Sequence, residues 1–193
     1  ASTHKGEDEQ VLEAHKKVLE SQPDTLLIIV PRHPERFDSV FELCESSGFI
    51  TTRRTYSRID SFEQSQVYIG DTMGEMLILI GSADVCFMGG SLLGDKVGGH
   101  NVLEPAVLGV PVITGPSYFN FKEIVDKLQK EKGIIICESI QISCNIMRLL
   151  NNKSDYKLLQ RTAFNLVKKN QGALAYTVSF QEQVSRNNYV THK

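Results

Sequence analysis

The chain has 193 residues, 41% of them hydrophobic and 23% charged, and a formal net charge of −2. That is the composition of an ordinary globular protein with room for one well-buried domain, and it lacks the basic face that nucleic-acid binding requires. No apolar run approaches the ~20 residues needed to span a bilayer, no signal peptide precedes the first element, and Ala1-Ser2-Thr3-His4-Lys5-Gly6-Glu7 reads as the interior of a longer polypeptide.

Ser2 or Thr3 is expected to cap a helix whose first turn carries Glu7, Asp8 and Glu9, the charges a helix N-terminus favours. Val11, Leu12, His15, Val18 and Leu19 give it an apolar stripe, and Pro23 closes it. Leu26 to Val30 is the uninterrupted apolar run of a strand buried on both faces. Pro31-Arg32-His33-Pro34-Glu35-Arg36 leaves its carboxyl end, and a helix follows over about 35–47. Arg36 is expected on that helix surface, or paired with Glu35 or Asp38. Short strands are expected at 49–53 and 66–69, separated by a polar, irregular stretch. A helix over 73–80, a strand over 83–88, a helix over 101–108 and a strand over 110–114 come next. A helix over 121–131, a strand over 133–137 and helix from about 139 onward complete the pattern, with breaks at Asn151-Asn152 and Asn170-Gln171-Gly172.

Strands alternating with helices in this way predict a single α/β domain over residues 1–193, a Rossmann-like, doubly wound parallel sheet with ligands at the carboxyl ends of its strands. Ten of the fourteen glycines fall between Gly70 and Gly115, in the loops at those ends. Glycine permits positive φ and close backbone approach to a ligand. Thr72-x-x-Glu75 and Asn101-x-x-Glu104 both fit a capping box. Gly89-Gly90-Ser91 follows a buried strand, Gly98-Gly99 follows nine residues later, and Leu92 to Val97 between them reads as a mobile flap. Arg32 offers a planar fork to phosphate or carboxylate, and His100 is suited to proton transfer, phosphate contact or helix capping.

Cys44, Cys86, Cys137 and Cys144 contain no C-x-x-C pair and are expected as reduced, mostly buried thiols. The five histidines show no metal-ligand spacing. There is no Walker motif, no G-x-G-x-x-G, no G-x-S-x-G elbow and no Asp-x-Asp. The residues alone point to a groove for a phosphate-bearing small molecule. They leave open a donor domain for a UDP-sugar transferase, an epimerase, or a non-catalytic nucleotide-binding module.

The order of five motifs is more specific. Ser2-Thr3-His4-Lys5-Gly6-Glu7-Asp8-Glu9, Val30-Pro31-Arg32-His33-Pro34-Glu35-Arg36-Phe37, Gly70-Asp71-Thr72-Met73-Gly74-Glu75-Met76, Gly89-Gly90-Ser91-Leu92 and Gly98-Gly99-His100-Asn101-Val102-Leu103-Glu104-Pro105-Ala106 occur in register. Together they resemble the C-terminal half of the bacterial Kdo (3-deoxy-D-manno-octulosonic acid) transferases. Gly115-Pro116 with Asn120-Phe121-Lys122, and Asn170-Gln171-Gly172-Ala173, fit as well.

The resemblance implies the C-terminal half of a GT-B glycosyltransferase, inverting and without a metal or other cofactor. This half would bind the donor CMP-Kdo. The N-terminal acceptor domain, absent from this chain, would bind a lipid A precursor and carry the catalytic base, a glutamate. The full protein would work at the cytoplasmic face of the inner membrane of Gram-negative bacteria, in lipopolysaccharide biosynthesis. This half alone would bind donor without turnover. The resemblance assigns Arg32 and the Met73, Gly74 and Glu75 backbone to nucleotide and phosphate. It assigns Gly89, Gly90, Ser91 and Asn101 to phosphate and sugar, Glu104 to ribose or sugar hydroxyls, and adds His33, Gly99 and His100 to the donor site. It also places the domain's first strand just before Ala1.

Overall fold

The computed structural model describes residues 1–56 and 64–169. In chain order the elements are α1 (Asp8–Leu19), β1 (Leu27–Ile29), α2 (Phe37–Ser46), β2 (Thr51–Arg53), β3 (Val67–Ile69), α3 (Met76–Gly81), β4 (Cys86–Met88), α4 (Leu103–Val107), β5 (Val112–Thr114), α5 (Lys122–Lys130), β6 (Ile135–Ile136) and α6 (Ile142–Asn151). A last helix, α7, covers residues 153–169 after a break at Asn152, whose backbone is extended. The second expected break, at 170–172, lies outside the described residues.

Every strand pairing is parallel. β3 lies between β1 and β2, with Leu27 opposite Val67 and Thr51 opposite Val67 on its other side. β5 lies between β4 and β6, with Cys86 opposite Val112 and Ile113 opposite Ile135. Residues 1–3 join these two triplets. The Ser2 N–H donates to Val30 O at 2.8 Å, and the Arg32 N–H donates to Thr3 O at 3.0 Å. On the other side the Gly89 N–H donates to Ala1 O at 2.9 Å, and the Ala1 amino group donates to Phe87 O at 2.7 Å. The strand order is therefore β2-β3-β1, residues 1–3, β4-β5-β6.

One expectation is corrected here: Ser2 and Thr3 do not cap α1, because their backbone groups are taken by the sheet and no side chain caps the helix. Residues 1–3 lie in the central position between β1 and β4. Beneath them, between β1 and β4, is a cavity of about 610 Å³ lined by Leu27, Ile29, Val85, Phe87 and Ile146.

Both faces of the sheet are covered. Leu12 of α1 and Val40 and Cys44 of α2 pack on Ile29, Val67 and Ile69. Val11 and Ala14 of α1, with Ile142 and Leu149 of α6, pack on Phe87 and Ile113. On the opposite face Ile80, Ala106, Val125, Leu128, Ala163 and Val167 close over Met88 and Val112. Each fully buried aliphatic side chain contributes ~1.5–3 kcal/mol of transfer free energy. The four cysteines are free thiols and three are buried; burial, helped by Asp8 and Glu45, pushes Cys44 up to about 12, so it packs as an apolar residue.

One carboxylate locks the seam. Glu7 has no exposed surface, and it accepts from the N–H groups of Gly90 at 2.7 Å, Ser91 at 2.9 Å, Leu92 at 3.0 Å and His4 at 3.0 Å. It thereby fastens the start of α1 to the loop after β4. Glycines make the close approaches: a Cβ on Gly89 would lie 2.7 Å from Ser2 O, and one on Gly115 would lie 2.2 Å from Ser91 O, both backbone atoms that cannot swing away.

Replacing Glu7 by Gln puts an amide donor against N–H donors that need an acceptor, so urea unfolding should show a loss of about 3 kcal/mol. Gly115→Ala should lower the urea midpoint by an amount equivalent to about 2 kcal/mol or more, because backbone must shift to admit the methyl.

Candidate functional site

Because all the strands run the same way, their carboxyl ends share one edge of the sheet. The loops leaving that edge carry Arg32 and His33 after β1, Gly70 to Glu75 after β3, and Gly89 to Asn101 after β4. Residues 4–7, leaving the central segment, enter the same edge.

At the centre three imidazoles meet. His4 Nε2 and His100 Nε2 are 2.7 Å apart, with the rings nearly parallel at 8° and centroids 5.0 Å apart. His33 stands edge-on to His4, with centroids 5.5 Å apart. Burial, together with the neighbouring His4 and Arg32, pushes the His100 imidazole down to about 4. Burial also holds His4 below its ordinary value, with His33, Arg36 and Arg32 adding to the effect and Glu7 opposing it. His4 and His100 are thus held toward the neutral form, next to the fixed positive charge of Arg32. Arg32 is exposed, and its guanidinium forms no ion pair with any described residue.

The glycine loop after β4 has a different character. The N–H groups of Gly90, Ser91 and Leu92 point at Glu7. Ser91 is fully buried; its Oγ donates to Met88 O at 2.8 Å and accepts from the Gly115 N–H at 2.8 Å. Gly89 and Gly90 supply space: residues 2–3 press on the first, and His100 presses on the second, which has φ +70°. Gly99 donates to Gly90 O at 2.7 Å. The segment expected as a flap contains a short turn, where Gly94 O accepts from Ser117 Oγ and Val97 O accepts from Asn120 Nδ2 at 2.6 Å.

On the β3 side, Met73 is 72% exposed and a side chain on Gly74 would meet open space. Neither expected capping box forms in full. Thr72 Oγ donates to the Glu75 carboxylate itself, and Arg54 grips the same carboxylate through Nε and Nη2, each at 3.1 Å; these hydrogen bonds hold Glu75 below the usual carboxylate range. Behind it, burial opposes ionisation of Asp71, but Thr55 and Arg53 outweigh it and hold the carboxyl low. In the second motif Asn101 Oδ1 accepts from the Leu103 N–H at 3.1 Å, while Asn101 Nδ2 donates to Glu104 at 3.2 Å. Met76 and Leu103, at the starts of α3 and α4, pack on one apolar cluster with Val102, so both acidic turns flank the centre.

Three contributors escaped the sequence reading. Glu7 resembled an ordinary first-turn acid, His4 carried no assigned role, and Arg54 lay in a stretch read as irregular. Arg36 is corrected: it pairs with buried Asp8 and donates to Thr3 O at 2.7 Å, not to Glu35 or Asp38. The signal was the compact motif His4-x-x-Glu7 beside Asp8, but its partners are distant in sequence.

No family model matches the chain. A 3-deoxy-D-manno-octulosonic acid transferase of Haemophilus influenzae is 41% identical over 176 residues, which cover 90% of this chain and 40% of that protein. The chain thus spans about two fifths of that relative's length. The C-terminal CMP-Kdo binding domain of WaaA from Acinetobacter baumannii has a TM-score of 0.80 at 41% identity, covering 86% of each chain. The C-terminal domain of a group 1 glycosyl transferase (LpcC) from Francisella tularensis, at 15% identity and a TM-score of 0.56, shares the fold alone. This α/β architecture is that of the C-terminal half of a GT-B glycosyltransferase, and the chain belongs to the 3-deoxy-D-manno-octulosonic acid transferase family.

Proposed function

We propose that this chain is the CMP-Kdo binding domain of an inverting, metal-independent transferase that moves Kdo to a lipid A precursor in lipopolysaccharide biosynthesis. The observation that carries the reading is the Arg32 guanidinium, which pairs with no carboxylate among the described residues and lies beside the imidazoles at the strand ends, in a chain 41% identical to a CMP-Kdo binding domain. A CMP-sugar presents one bridging phosphodiester, and Kdo adds a carboxylate. One arginine and polarised N–H groups match two single negative charges without the denser neutralisation that a pyrophosphate demands.

In the reaction an acceptor hydroxyl attacks the anomeric carbon of Kdo and CMP departs with its phosphate gaining charge. Arg32, His33 and His100 oppose that growing charge, which is electrostatic stabilisation by groups already in place. The Met73–Gly74 backbone and Glu75, the latter fixed by Arg54, receive the nucleoside. Asn101 aims Glu104 at ribose or sugar hydroxyls. Gly89, Gly90, Ser91 and Gly99 act one step back: they hold Glu7 and make room for His100. The catalytic base, the lipid A precursor site and the contact with the cytoplasmic face of the inner membrane belong to the N-terminal half of the full protein. Among the described residues no helix is long and apolar enough to cross a membrane.

Titrating the ¹⁵N-labelled domain with CMP should move amides at 31–33, 72–76, 89–92 and 98–104, and UMP should move them less. Equal shifts with UMP would remove the cytidine assignment. Arg32→Ala should weaken CMP binding about tenfold or more, the worth of one charge-assisted hydrogen bond, and Glu104→Ala should weaken it several-fold. Unchanged affinity in both variants would overturn the site.

A further inference from the structure

We propose that His4 and His100 form a one-proton anion receptor: seating an anionic oxygen group of the donor beside them draws a proton from solvent onto the imidazole pair. The inference rests on the donor-binding reading above and adds His4 to the site.

The geometry allows few alternatives. Two Nε2 atoms at 2.7 Å can share one hydrogen between them, so one ring donates and the other accepts. Two imidazolium rings cannot keep this contact, because both nitrogens would then carry hydrogen and positive charge. The charged groups facing the pair are Glu7, Arg32, His33, Arg36 and the Ala1 amino group. Only Glu7 is negative, and its oxygens are already engaged by four backbone N–H groups. Without ligand the pair therefore stays neutral, in line with the depressed basicity of both rings.

A phosphodiester or carboxylate beside Arg32 reverses the balance. It supplies the missing negative charge and an acceptor for a ring N–H. One imidazole then takes up a proton, and the pair opens to point a cationic edge at the ligand. Opposite charge within a few ångströms favours the charged form of histidine. The sign follows from linkage: uptake on binding makes affinity rise as pH falls, for as long as the free pair is neutral and the bound pair is charged.

The test needs a ligand that does not itself titrate near neutrality. Cytidine 5′-methyl phosphate carries only the phosphodiester, whereas CMP-Kdo carries phosphodiester and carboxylate. Calorimetry of both, in buffers of differing ionisation enthalpy from pH 6 to pH 8, counts protons directly. Uptake with both ligands would assign the trigger to the phosphodiester; uptake with CMP-Kdo alone would assign it to the carboxylate. Either result should come with affinity rising about three- to tenfold from pH 8 to pH 6, the change expected from up to one proton taken up. His4→Gln and His100→Asn should each abolish the proton uptake and flatten that slope, read as the ratio of affinity at pH 6 to affinity at pH 8 whatever the absolute loss, which loss of structure alone would not do. Binding without proton uptake would overturn the receptor and leave the donor site standing. Absence of binding by either ligand would overturn both.

Discussion

The Glu7 carboxylate is the constraint on which the rest of the site depends. Four backbone N–H groups converge on it from two segments more than eighty residues apart in sequence. Were it removed, three consecutive donors after β4 would be buried without acceptors, a cost of about 1–3 kcal/mol for each. The arrangement explains why the loop is rich in glycine. A run of N–H groups can point at one oxygen pair only if the chain curls tightly, and Gly90 at φ +70° supplies the curl. An anion-binding nest is thus built, then filled by the protein itself.

This internal filling separates two kinds of positive site at the same edge. The nest belongs to the fold, and on the proposed reading the cation left over is the one a ligand would meet. Arg53 illustrates the first kind, held between Asp71 and Asp38 and lying over the rings of Phe41 and Tyr56. Arg36 is spent on Asp8 and Thr3. Arg32 alone among these three arginines keeps its fork for something else, and it does so beside rings whose charge is not yet fixed.

Much of the architecture was legible in the sequence because periodicity is local. The apolar run Leu26–Val30 announced β1, the stripe Val11, Leu12, His15, Val18 announced α1, and alternation of the two announced parallel winding. What was missed depends on partners far along the chain. Ser2 and Thr3 have the chemistry of caps, yet Val30 and Gly89 recruit that segment into the sheet. Thr72 and Glu75 have the spacing of a capping box, but Arg54 turns the carboxylate away from the helix end. Gly89 and Gly90 look equally suited to phosphate and to crowding, and only the positions of residues 2–3 and His100 decide for crowding. The hydrogen bonds that Gly94 and Val97 accept were missed similarly, since Ser117 and Asn120 lie more than twenty residues from the carbonyls they hold. The donor-site assignments came from motif order, which composition and spacing alone could not supply.

Each half of the sheet is made from contiguous chain, residues 27–69 in one and 86–136 in the other, and among the described residues it is residues 1–3 that knit them through backbone bonds. α1 spans that seam, with Leu12 packed on Ile29 and Val67 of one triplet and Val11 and Ala14 on Phe87 and Ile113 of the other, so the two triplets share their helical cover. Arg32 sits on one lip of that seam and His100 on the other. On the proposed donor-binding reading, an anion held by both would clasp the two lips at their strand ends, on the side of the sheet edge that α1 leaves open.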